Sequence, residues 1–268
     1  METLSSDIIS RALTTRRLGR PSLFYPCVAS TNDLVHEQAR AGAAEGLLVV
    51  ADEQTAGRGR QGRAWWSPPG GLWFSLLLRP LIPLERAGQL TMCLGLGAVE
   101  GIEQATGLRA GLKWPNDIVY AGRKLGGMLA ELGISGQRLE YAVLGLGLNV
   151  NVSFDWPGAP TRLAGSATSL QIALGHPVDR LPLLAAIMAR CEGWYERLLA
   201  GQSLHRAWAD RLETLGQKVA AMLPEECIEG LAVGITPEGG LLLRTEEGIL
   251  RTIWAGDVVS ISHAAGPD

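Results

Sequence analysis

Residues 57–71 restrict the possible folds more than any other part of the sequence. The first six of them, Gly-Arg-Gly-Arg-Gln-Gly, match the GxGxxG pattern of dinucleotide-binding loops. That pattern works only when a helix opens directly after the glycines and an acidic residue follows about 20 positions later, in a parallel βαβ unit. Here Ala-Trp-Trp-Ser-Pro-Pro-Gly-Gly follows, and its two prolines and two glycines disfavour a helix. A dinucleotide-binding parallel sheet built on this loop is therefore excluded.

The apolar pattern predicts an α+β fold with a mixed or antiparallel sheet flanked by helices. Between residues 111 and 146 one strand follows another across short turns, and parallel pairing does not allow such short connections. The predicted strands of this sheet are residues 46–51, 72–78, 111–114, 118–120, 126–132 and 139–146. The first predicted helix begins at the capping cluster 30–33 and ends near 41–44. The other predicted helices are residues 84–106, 165–174, 181–199 and 203–212.

After Gly216 the pattern changes to short strands and turns, which predicts a small β-barrel of about fifty residues. The pair Gly239-Gly240 predicts a hairpin turn between two of its strands. The predicted strands of the barrel are residues 218–222, 226–233, 241–244, 249–254 and 258–261. We therefore expect a larger domain, residues 1–214, and a small β-barrel domain, residues 215–268.

Charge and composition argue against several classes of protein. The net charge is −3, whereas a nucleic-acid-binding protein usually carries a basic surplus, so we predict no binding to DNA. The four cysteines are scattered, without metal-ligand spacing, and are expected to be reduced thiols. Neither a signal-peptide pattern nor an uninterrupted apolar stretch of about 18 residues occurs. These features predict a cytoplasmic protein that does not enter a membrane.

Residues 57–63, which we call the arginine loop, have the composition of a phosphate-binding surface. Arg58, Arg60 and Arg63 alternate with small or polar residues. Each guanidinium can donate two hydrogen bonds to phosphate or carboxylate oxygens, and glycine lets the backbone approach a ligand. Because three like charges at this spacing repel each other, we expect the empty loop to be mobile and a polyanion to order it. The alternative for an isolated loop of this kind is a solvated basic turn.

A second pair of motifs favours the phosphate-binding interpretation. Lys-Trp-Pro-Asn-Asp at 113–117 is followed, across a turn, by Arg-Lys-Leu-Gly-Gly at 123–127. Two lysines, an asparagine and an aspartate thus lie at adjacent strand ends and can converge on one pocket. A lysine beside a reacting phosphate stabilises developing negative charge. The alternative is a hairpin with ordinary surface charges.

These motifs together resemble the biotin protein ligases. The resemblance covers about residues 22–262, and the coupling of the Gly-Arg-Gly-Arg loop to Lys-Trp-Pro-Asn-Asp is highly specific to that family. The motifs that carry it, in chain order, are Ser30-Thr31-Asn32, Gln54, the arginine loop, residues 113–117, residues 123–127 and Gly-Leu-Gly-Leu-Asn-Val-Asn at 145–151.

The resemblance implies a fold, an activity and a partner. The larger domain would be a catalytic core related to class II aminoacyl-tRNA synthetases and lipoate ligases, and the small barrel would be SH3-like. The enzyme would join biotin, its substrate, to ATP in the presence of Mg²⁺, giving biotinyl-5′-AMP and pyrophosphate. It would then pass biotin to one lysine of a biotin carboxyl carrier protein. Relatives often pair through the core sheet, so the resemblance allows a homodimer.

The resemblance also implies roles on the biotin side of the site. Ser30, Thr31 and Gln54 would hydrogen-bond the ureido head, and a site built to pair these groups rejects analogues that lack them. Gly127 would leave room beside biotin. The residues assigned to biotin are Ser30, Thr31, Asn32, Gln54, Gly57, Arg58, Gly59, Arg60, Lys124 and Gly127.

On the nucleotide side, Lys124 would bridge the biotin carboxylate and the α-phosphate, and Asp117 would orient the acceptor lysine or accept its proton. Arg58 would hold the activated intermediate. The four residues assigned to catalysis are thus Lys124, Arg58, Lys113 and Asp117. Those assigned to ATP are Arg60, Arg63, Trp65, Lys113, Asn116 and Asn149.

Three alternatives bear on this interpretation. Some of these ligases carry an N-terminal helix-turn-helix of about sixty residues that makes them repressors; about twenty residues precede the core here, so we expect no repressor function. A lipoate or octanoyl ligase on the same core would have an apolar channel, against which Gln54 and the arginine loop count. A non-catalytic biotin-binding module would not need both Lys113 and Lys124.

Overall fold

The structure is a computed structural model that describes residues 4–155 and 158–261. Residues 1–3, 156–157 and 262–268, and with them the outer ends of the two predicted domain ranges, lie outside the described residues. The helices are α1 (Ser6–Ala12), α2 (Thr31–Arg40), α3 (Gly88–Thr106), α4 (Leu170–Leu174), α5 (Arg180–Leu199) and α6 (His205–Ala209). The strands are β1 (Ser22–Val28), β2 (Leu48–Gln54), β3 (Leu72–Leu78), β4 (Gly111–Lys113), β5 (Asp117–Tyr120), β6 (Arg123–Ser135), β7 (Arg138–Leu148), β8 (Lys218–Met222), β9 (Cys227–Ile235), β10 (Leu241–Arg244), β11 (Leu250–Ile253) and β12 (Asp257–Ser260).

The larger sheet has seven strands in the order β1-β2-β3-β7-β6-β5-β4. The pair β1–β2 is parallel and the other pairs are antiparallel, so the predicted mixed sheet is confirmed. All seven residues of β3 are buried, which explains why that strand is apolar on both faces apart from Ser75. The sequence of β3 therefore suits the interior position that the strand takes in the sheet.

Helices cover both faces of this sheet. On one face, Val35 and Ala39 of α2 pack on Val49, Leu77 and Val143. The opposite face belongs to the main apolar core, to which α3 and α5 contribute most of their buried residues. As a result the first turn of α2 lies directly over the sheet strands, on the side away from α3.

The C-terminal part forms a separate five-stranded antiparallel sheet in the order β11-β10-β9-β8-β12. The turn at Gly239-Gly240 joins β9 to β10, as the sequence predicts. Strand β9 alternates buried and exposed residues over most of its length, as expected for a sheet with one covered face. The loop before β12 and the first residue of β12 reach the arginine loop, and this contact shapes the site described below.

Several predicted elements need correction. The apolar pattern did not predict α1 or β1, and β1 adds the parallel edge of the sheet. The predicted helix 84–106 begins at Gly88, after a short 3₁₀ turn. The predicted helix 165–174 is wrong in its first half, because Ser169 caps a helix that starts at Leu170. Ahead of that cap, the backbone groups of Ser166 and Thr168 bond to Lys124 of β6.

Candidate active site

A cavity of about 680 Å³ opens on the α2 side of the larger sheet. It is surrounded by the arginine loop, the β4–β5 turn, the start of α2 and the C-terminal sheet. Residues of β6 and β7 line its side against the larger sheet. Two residues that the sequence assigns to the site, Gly57 and Asn149, do not line this cavity. The assigned residues that do line it are Ser30, Thr31, Asn32, Gln54, Arg58, Gly59, Arg60, Arg63, Trp65, Lys113, Asn116, Asp117, Lys124 and Gly127. Residues far apart in sequence thus converge on one pocket.

The floor of the cavity is polar, with Ser30 and Thr31 buried and Gln54 half-buried. Ser30 caps α2 by accepting a hydrogen bond from the Asp33 N–H, which places Ser30 and Thr31 at the helix start. The Oε1 of Gln54, at the end of β2, accepts the Thr31 N–H at 2.9 Å. The Nε2 of Gln54 donates to Ser67 Oγ at 2.9 Å. Because both ends of its amide are bonded, the orientation of Gln54 is fixed.

The arginine loop folds back on itself as a hairpin. The Trp65 N–H donates to the Gly57 carbonyl at 2.8 Å, and the Gly59 N–H donates to the Arg63 carbonyl at 2.7 Å. A Cβ at Gly57 would lie 2.6 Å from the Trp65 carbonyl oxygen, so only glycine fits this close approach. Gly57 therefore shapes the loop without lining the cavity.

Each arginine of the loop faces an acceptor on another element. Arg58 Nη2 lies 2.6 Å from Asp33 Oδ1 and 3.3 Å from both carboxylate oxygens of Glu131. Arg63 forms an ion pair with Asp257 of β12. These carboxylates offset the repulsion expected among the three arginines.

The C-terminal sheet also affects the pKa values of two arginines of the loop. Burial lowers the pKa of Arg60, while the charges of Asp257 and Asp117 act in the opposite direction. The hydrogen bond to Asp257 raises the pKa of Arg63. Arg60 also donates to the Gly256 carbonyl at 3.3 Å. Both guanidinium groups stay cationic at neutral pH, and both are held in place from the C-terminal sheet.

Trp65 closes the cavity from above the sheet. A Cβ at Gly147 would overlap its indole ring, so the indole rests directly on the backbone of β7. The buried indole N–H finds no hydrogen-bond acceptor among residues 4–155 and 158–261. A buried donor without an acceptor costs free energy, and a bound molecule with a suitable acceptor would remove that cost.

Lys124 and Asp117 form an ion pair inside the cavity. Lys124 Nζ lies 2.6 Å from Asp117 Oδ1 and 5.2 Å from the centre of the Trp65 ring. The segment before α4 holds the main chain of Lys124. The Lys124 N–H donates to Ser166 O, and the Lys124 carbonyl accepts from the Thr168 N–H, both at 2.9 Å. This bridge is the reason that residues 165–169 are not helical.

The β4–β5 turn brings the remaining predicted residues to the cavity. Lys113 and Asp117 are cross-strand partners at the point where β4 and β5 meet the turn. Asn116 donates from Nδ2 to the Met128 carbonyl at 2.5 Å, which ties the turn to β6. Asn149 lies deeper, where its amide donates to the Thr168 carbonyl at 3.1 Å. Asn149 thereby supports the segment that holds Lys124.

Four lining or neighbouring residues escaped the sequence analysis. Glu131 is a carboxylate on a strand that packs on the core, a signal that could have identified it. Ser75 is the polar residue of a fully buried strand, which is a similar signal. No local pattern indicates Asp257 or Arg162, because both reach the cavity only through the tertiary fold.

Residues 4–155 and 158–261 contain neither a metal-binding cluster nor a helix that could span a membrane. Within them, no group of three or more His, Cys, Asp or Glu side chains is arranged to hold a metal ion. No helix in that part of the chain has the length and apolar character needed to cross a bilayer. All four cysteines are free, as the sequence predicts, and Cys93 and Cys191 are buried.

Comparison with known families matches both parts of the chain. Residues 24–149 match the biotin/lipoate A/B protein ligase family, and residues 214–259 match the biotin protein ligase C-terminal domain. The bifunctional ligase/repressor BirA of Bacillus subtilis is 38% identical over 258 residues, which covers 95% of this chain and 78% of the relative. The chain belongs to the biotin protein ligase family.

Other members of the family are similar in sequence and in structure. The biotin–[acetyl-CoA-carboxylase] ligase of Paracoccus denitrificans is 35% identical over 207 residues, covering 75% of this chain and 85% of that one. The biotin protein ligase of Aquifex aeolicus, solved in complex with biotin and ATP, superposes with a TM-score of 0.75 at 32% identity. That match covers 89% of this chain and 97% of the Aquifex chain. The similarity in fold therefore covers nearly all of the Aquifex chain.

Proposed function

We propose that this chain activates biotin with ATP to biotinyl-5′-AMP and transfers the biotinyl group to a lysine of a biotin carboxyl carrier protein. The observation that carries the proposal is the two-part character of the cavity. The hydroxyl and amide groups of Ser30 and Thr31, which are buried, and of Gln54, which is half-buried, form one end of the cavity, and six cationic side chains line its mouth. Biotin has a polar ureido head at one end and a carboxylate at the other, which meets ATP.

The cations of the mouth suit the first half-reaction. Six cationic side chains line the cavity against two carboxylates; they are Arg58, Arg60, Arg63, Lys113, Lys124 and Arg162. A biotin carboxylate oxygen attacks the α-phosphorus of ATP, the bond to the β-phosphate oxygen breaks, and pyrophosphate leaves. Lys124 would bridge the carboxylate and the α-phosphate, while Lys113 and the arginines would offset charge on the polyphosphate. Arg58 would then retain the adenylate.

The second half-reaction needs a base near the acyl carbon. The acceptor lysine must lose a proton before its amine attacks the carbonyl carbon of biotinyl-5′-AMP and AMP leaves. Asp117 lines the cavity beside Lys124, so it is the group that would orient this amine or accept its proton. Trp65 would close the loop over the adenine, Asn116 and Asn149 would support the nucleotide side, and Gly127 would leave room beside biotin.

We propose that Mg²⁺ binds to the site together with ATP. Asp117 and Asp257 are the two carboxylates that line the cavity, and each forms an ion pair with a basic residue. This set is too small for a protein-built cage, but it fits an ion that is held mainly by phosphates and water, as Mg²⁺ usually is. When bound, Mg²⁺ supplies neutralisation of the phosphate charge.

Two other functions are less well supported. A lipoate or octanoyl ligase would need an apolar channel, whereas the floor here is a network of hydrogen-bonded polar side chains. A non-catalytic biotin-binding module would have no use for the cations at the mouth. Biotin-dependent ATP–pyrophosphate exchange tests all three. Exchange with biotin but not with lipoate or octanoate is expected; exchange with lipoate alone, or with none of them, contradicts the proposal.

We place the catalytic domain at residues 1–214, with a core related to class II aminoacyl-tRNA synthetases, and an SH3-like barrel at residues 215–268. The carrier protein is the expected partner and the cytoplasm the expected location, and the resemblance allows a homodimer through the core sheet. We expect no repressor function, which a DNA-binding measurement on the full chain checks.

A further inference from the structure

We infer that Glu131 is a positioning residue that fixes which atoms on the floor of the biotin pocket donate hydrogen bonds and which accept them. The inference rests on the proposed function, since it concerns how this site recognises biotin. Glu131 lies on β6, two residues beyond Leu129, which lines the cavity, and its carboxylate reaches α2 above the sheet. It does not itself line the cavity.

A chain of hydrogen bonds leads from Glu131 to the floor. Asn32 Nδ2 donates to Glu131 Oε2 at 2.6 Å, and Asn32 Oδ1 accepts from Ser75 Oγ at 2.5 Å. Ser75 Oγ lies 2.7 Å from Thr31 Oγ1. Asn32, Ser75 and Thr31 are all buried, so water does not compete for these bonds. The hydrogen bonds among these side chains therefore set the positions of the protons.

The charge of Glu131 determines the direction of every bond in this chain. A carboxylate only accepts, so the amide nitrogen of Asn32 must face it and the amide oxygen must face Ser75. The single proton of Ser75 then goes to Asn32, and the hydroxyl of Thr31 must donate to Ser75. The single proton of Thr31 Oγ1 serves the shorter contact, 2.7 Å to Ser75 Oγ, so it is not available for the 3.1 Å contact with Gln54 Oε1. Thr31 Oγ1 is left with lone pairs only.

The consequence is a pocket floor with one fixed polarity. Thr31 Oγ1 presents an acceptor, and Gln54 Nε2 presents its second N–H as a donor, since its first is bonded to Ser67. A ureido group offers an N–H beside a carbonyl oxygen, which is the complementary pattern. Without a carboxylate at position 131, the Asn32 amide can turn over, and the protons of Ser75 and Thr31 can then point the other way. The hydroxyl proton of Thr31 would then face the ureido N–H, so that two donors would meet and the hydrogen bond would be lost.

Glu131 also holds the arginine loop, and this second role must be separated from the first. Arg58 Nη2 lies 3.3 Å from both oxygens of Glu131, but it lies closer, at 2.6 Å, to Asp33. His36 Nε2 lies 3.5 Å from Glu131 Oε2. Asp33 makes no bond to the chain that leads to Thr31 within the described residues, so a change at Asp33 disturbs Arg58 alone.

The test is the biotin KM of the full-length chain in ATP–pyrophosphate exchange. Glu131→Met is expected to raise it by roughly tenfold, the factor that corresponds to one hydrogen bond with a polar ligand atom. The KM for ATP is expected to stay within about twofold. Glu131→Gln can turn either its oxygen or its NH₂ group toward Asn32, so it no longer sets the direction alone and is expected to raise the biotin KM by a smaller factor than Glu131→Met. Glu140→Met, on an exposed position of β7, is the matched control for loss of a carboxylate.

A double substitution identifies the route of the effect. Ser75→Ala interrupts the series of hydrogen bonds between Asn32 and Thr31. Thr31 can then donate to Gln54 whichever residue is at position 131. Glu131→Met should therefore change the biotin KM by less than about twofold in that background. Asp33→Asn should hasten proteolysis of the arginine loop without the rise in biotin KM. If Glu131→Met does not fold, Glu131→Thr, too short to reach Asn32, replaces it.

The outcomes separate this inference from the proposed function. Absence of biotin-dependent exchange in the unchanged chain contradicts the proposed function. Exchange in the unchanged chain with no rise in biotin KM for Glu131→Met contradicts the inference alone. An equal rise with and without Ser75→Ala also contradicts it, because Glu131 would then act through Arg58 or through the general structure.

Discussion

Lys124 Nζ and Asp117 Oδ1 lie 2.6 Å apart on neighbouring strands at the edge of the cavity. In this arrangement the lysine proposed for the first half-reaction neutralises the aspartate proposed for the second. Arrival of biotin carboxylate and ATP phosphates would offer Lys124 stronger partners and would leave Asp117 available for the acceptor amine. The pair thus suggests a physical reason for the order of the two steps.

Lys124→Met should abolish most of the activation of biotin. Its charge bridges the groups that react, and loss of one such stabilising group costs about 10²–10³ in rate. Biotin-dependent ATP–pyrophosphate exchange is the measurement, with biotin affinity followed separately by calorimetry. Lys218→Met, which removes an exposed lysine of β8, is the control and should leave exchange unchanged. Exchange at near-normal rate in Lys124→Met would remove Lys124 from the reaction.

Asp117→Asn should separate the two half-reactions. Asparagine keeps the shape of the side chain but cannot accept the proton of the acceptor amine. Transfer from preformed biotinyl-5′-AMP to a carrier domain should fall by roughly 10²-fold, within the usual range for loss of a general base. ATP–pyrophosphate exchange should change by only a few-fold. A variant that slows exchange and transfer equally would place Asp117 in the first half-reaction instead.

Asp257→Asn should loosen the arginine loop, since Arg63 loses its charged partner on the C-terminal sheet. Trypsin should then cut near residues 58–63 faster in the empty protein. Biotin with ATP should slow the cutting in both proteins, because phosphates replace the lost carboxylate as the partner of the arginines. Asp155→Asn, in an exposed loop, is the control. Equal cutting of the Asp257 variant and the unchanged protein would show that Asp257 does not hold the loop.

The elements that the sequence predicts well are those with strong local signals. Strands β2, β3 and β7 and helices α3 and α5 have apolar patterns long enough to identify them, and their order is confirmed. Strand β1 is missed because Pro26 and the exposed Cys27 interrupt its pattern. Helix 165–174 is overpredicted because the bonds of Ser166 and Thr168 to Lys124 cannot be read from local sequence. Tertiary hydrogen bonds override local preference there.

For the site, motifs locate the residues but not their partners. The loop, Lys113, Asp117 and Lys124 are found from their types and spacing, and the structure brings them to one cavity. The carboxylates that hold the arginines, Asp33, Glu131 and Asp257, come from three separate elements. Which carboxylate meets which arginine depends on the packing of α2 and of the C-terminal sheet. A single sequence contains no local signal for such pairings.

Glu192→Gln should destabilise the fold in a pH-dependent manner. The Glu192 carboxylate on α5 accepts hydrogen bonds from three successive backbone N–H groups, those of Arg16, Arg17 and Leu18, at 2.7–2.9 Å. Burial acts to raise the pKa of Glu192, but these bonds outweigh it and lower the pKa overall. At neutral pH the substitution should reduce the free energy of unfolding by about 1–2 kcal/mol, in line with partly exposed charge-assisted hydrogen bonds.

The sign of the pH dependence follows from the lowered pKa. A carboxyl group whose pKa is lower in the folded state contributes stability above its unfolded pKa, near 4.3, and loses that contribution as the pH falls through the folded value. Urea unfolding at pH 7 and at pH 3 should therefore show a difference between the unchanged protein and Glu192→Gln that shrinks at the lower pH. Glu196→Gln, one turn along α5 and exposed, is the matched control and should show little difference at either pH. A difference that stays constant between pH 7 and pH 3 would mean that Glu192 contributes by packing, since packing does not depend on its charge.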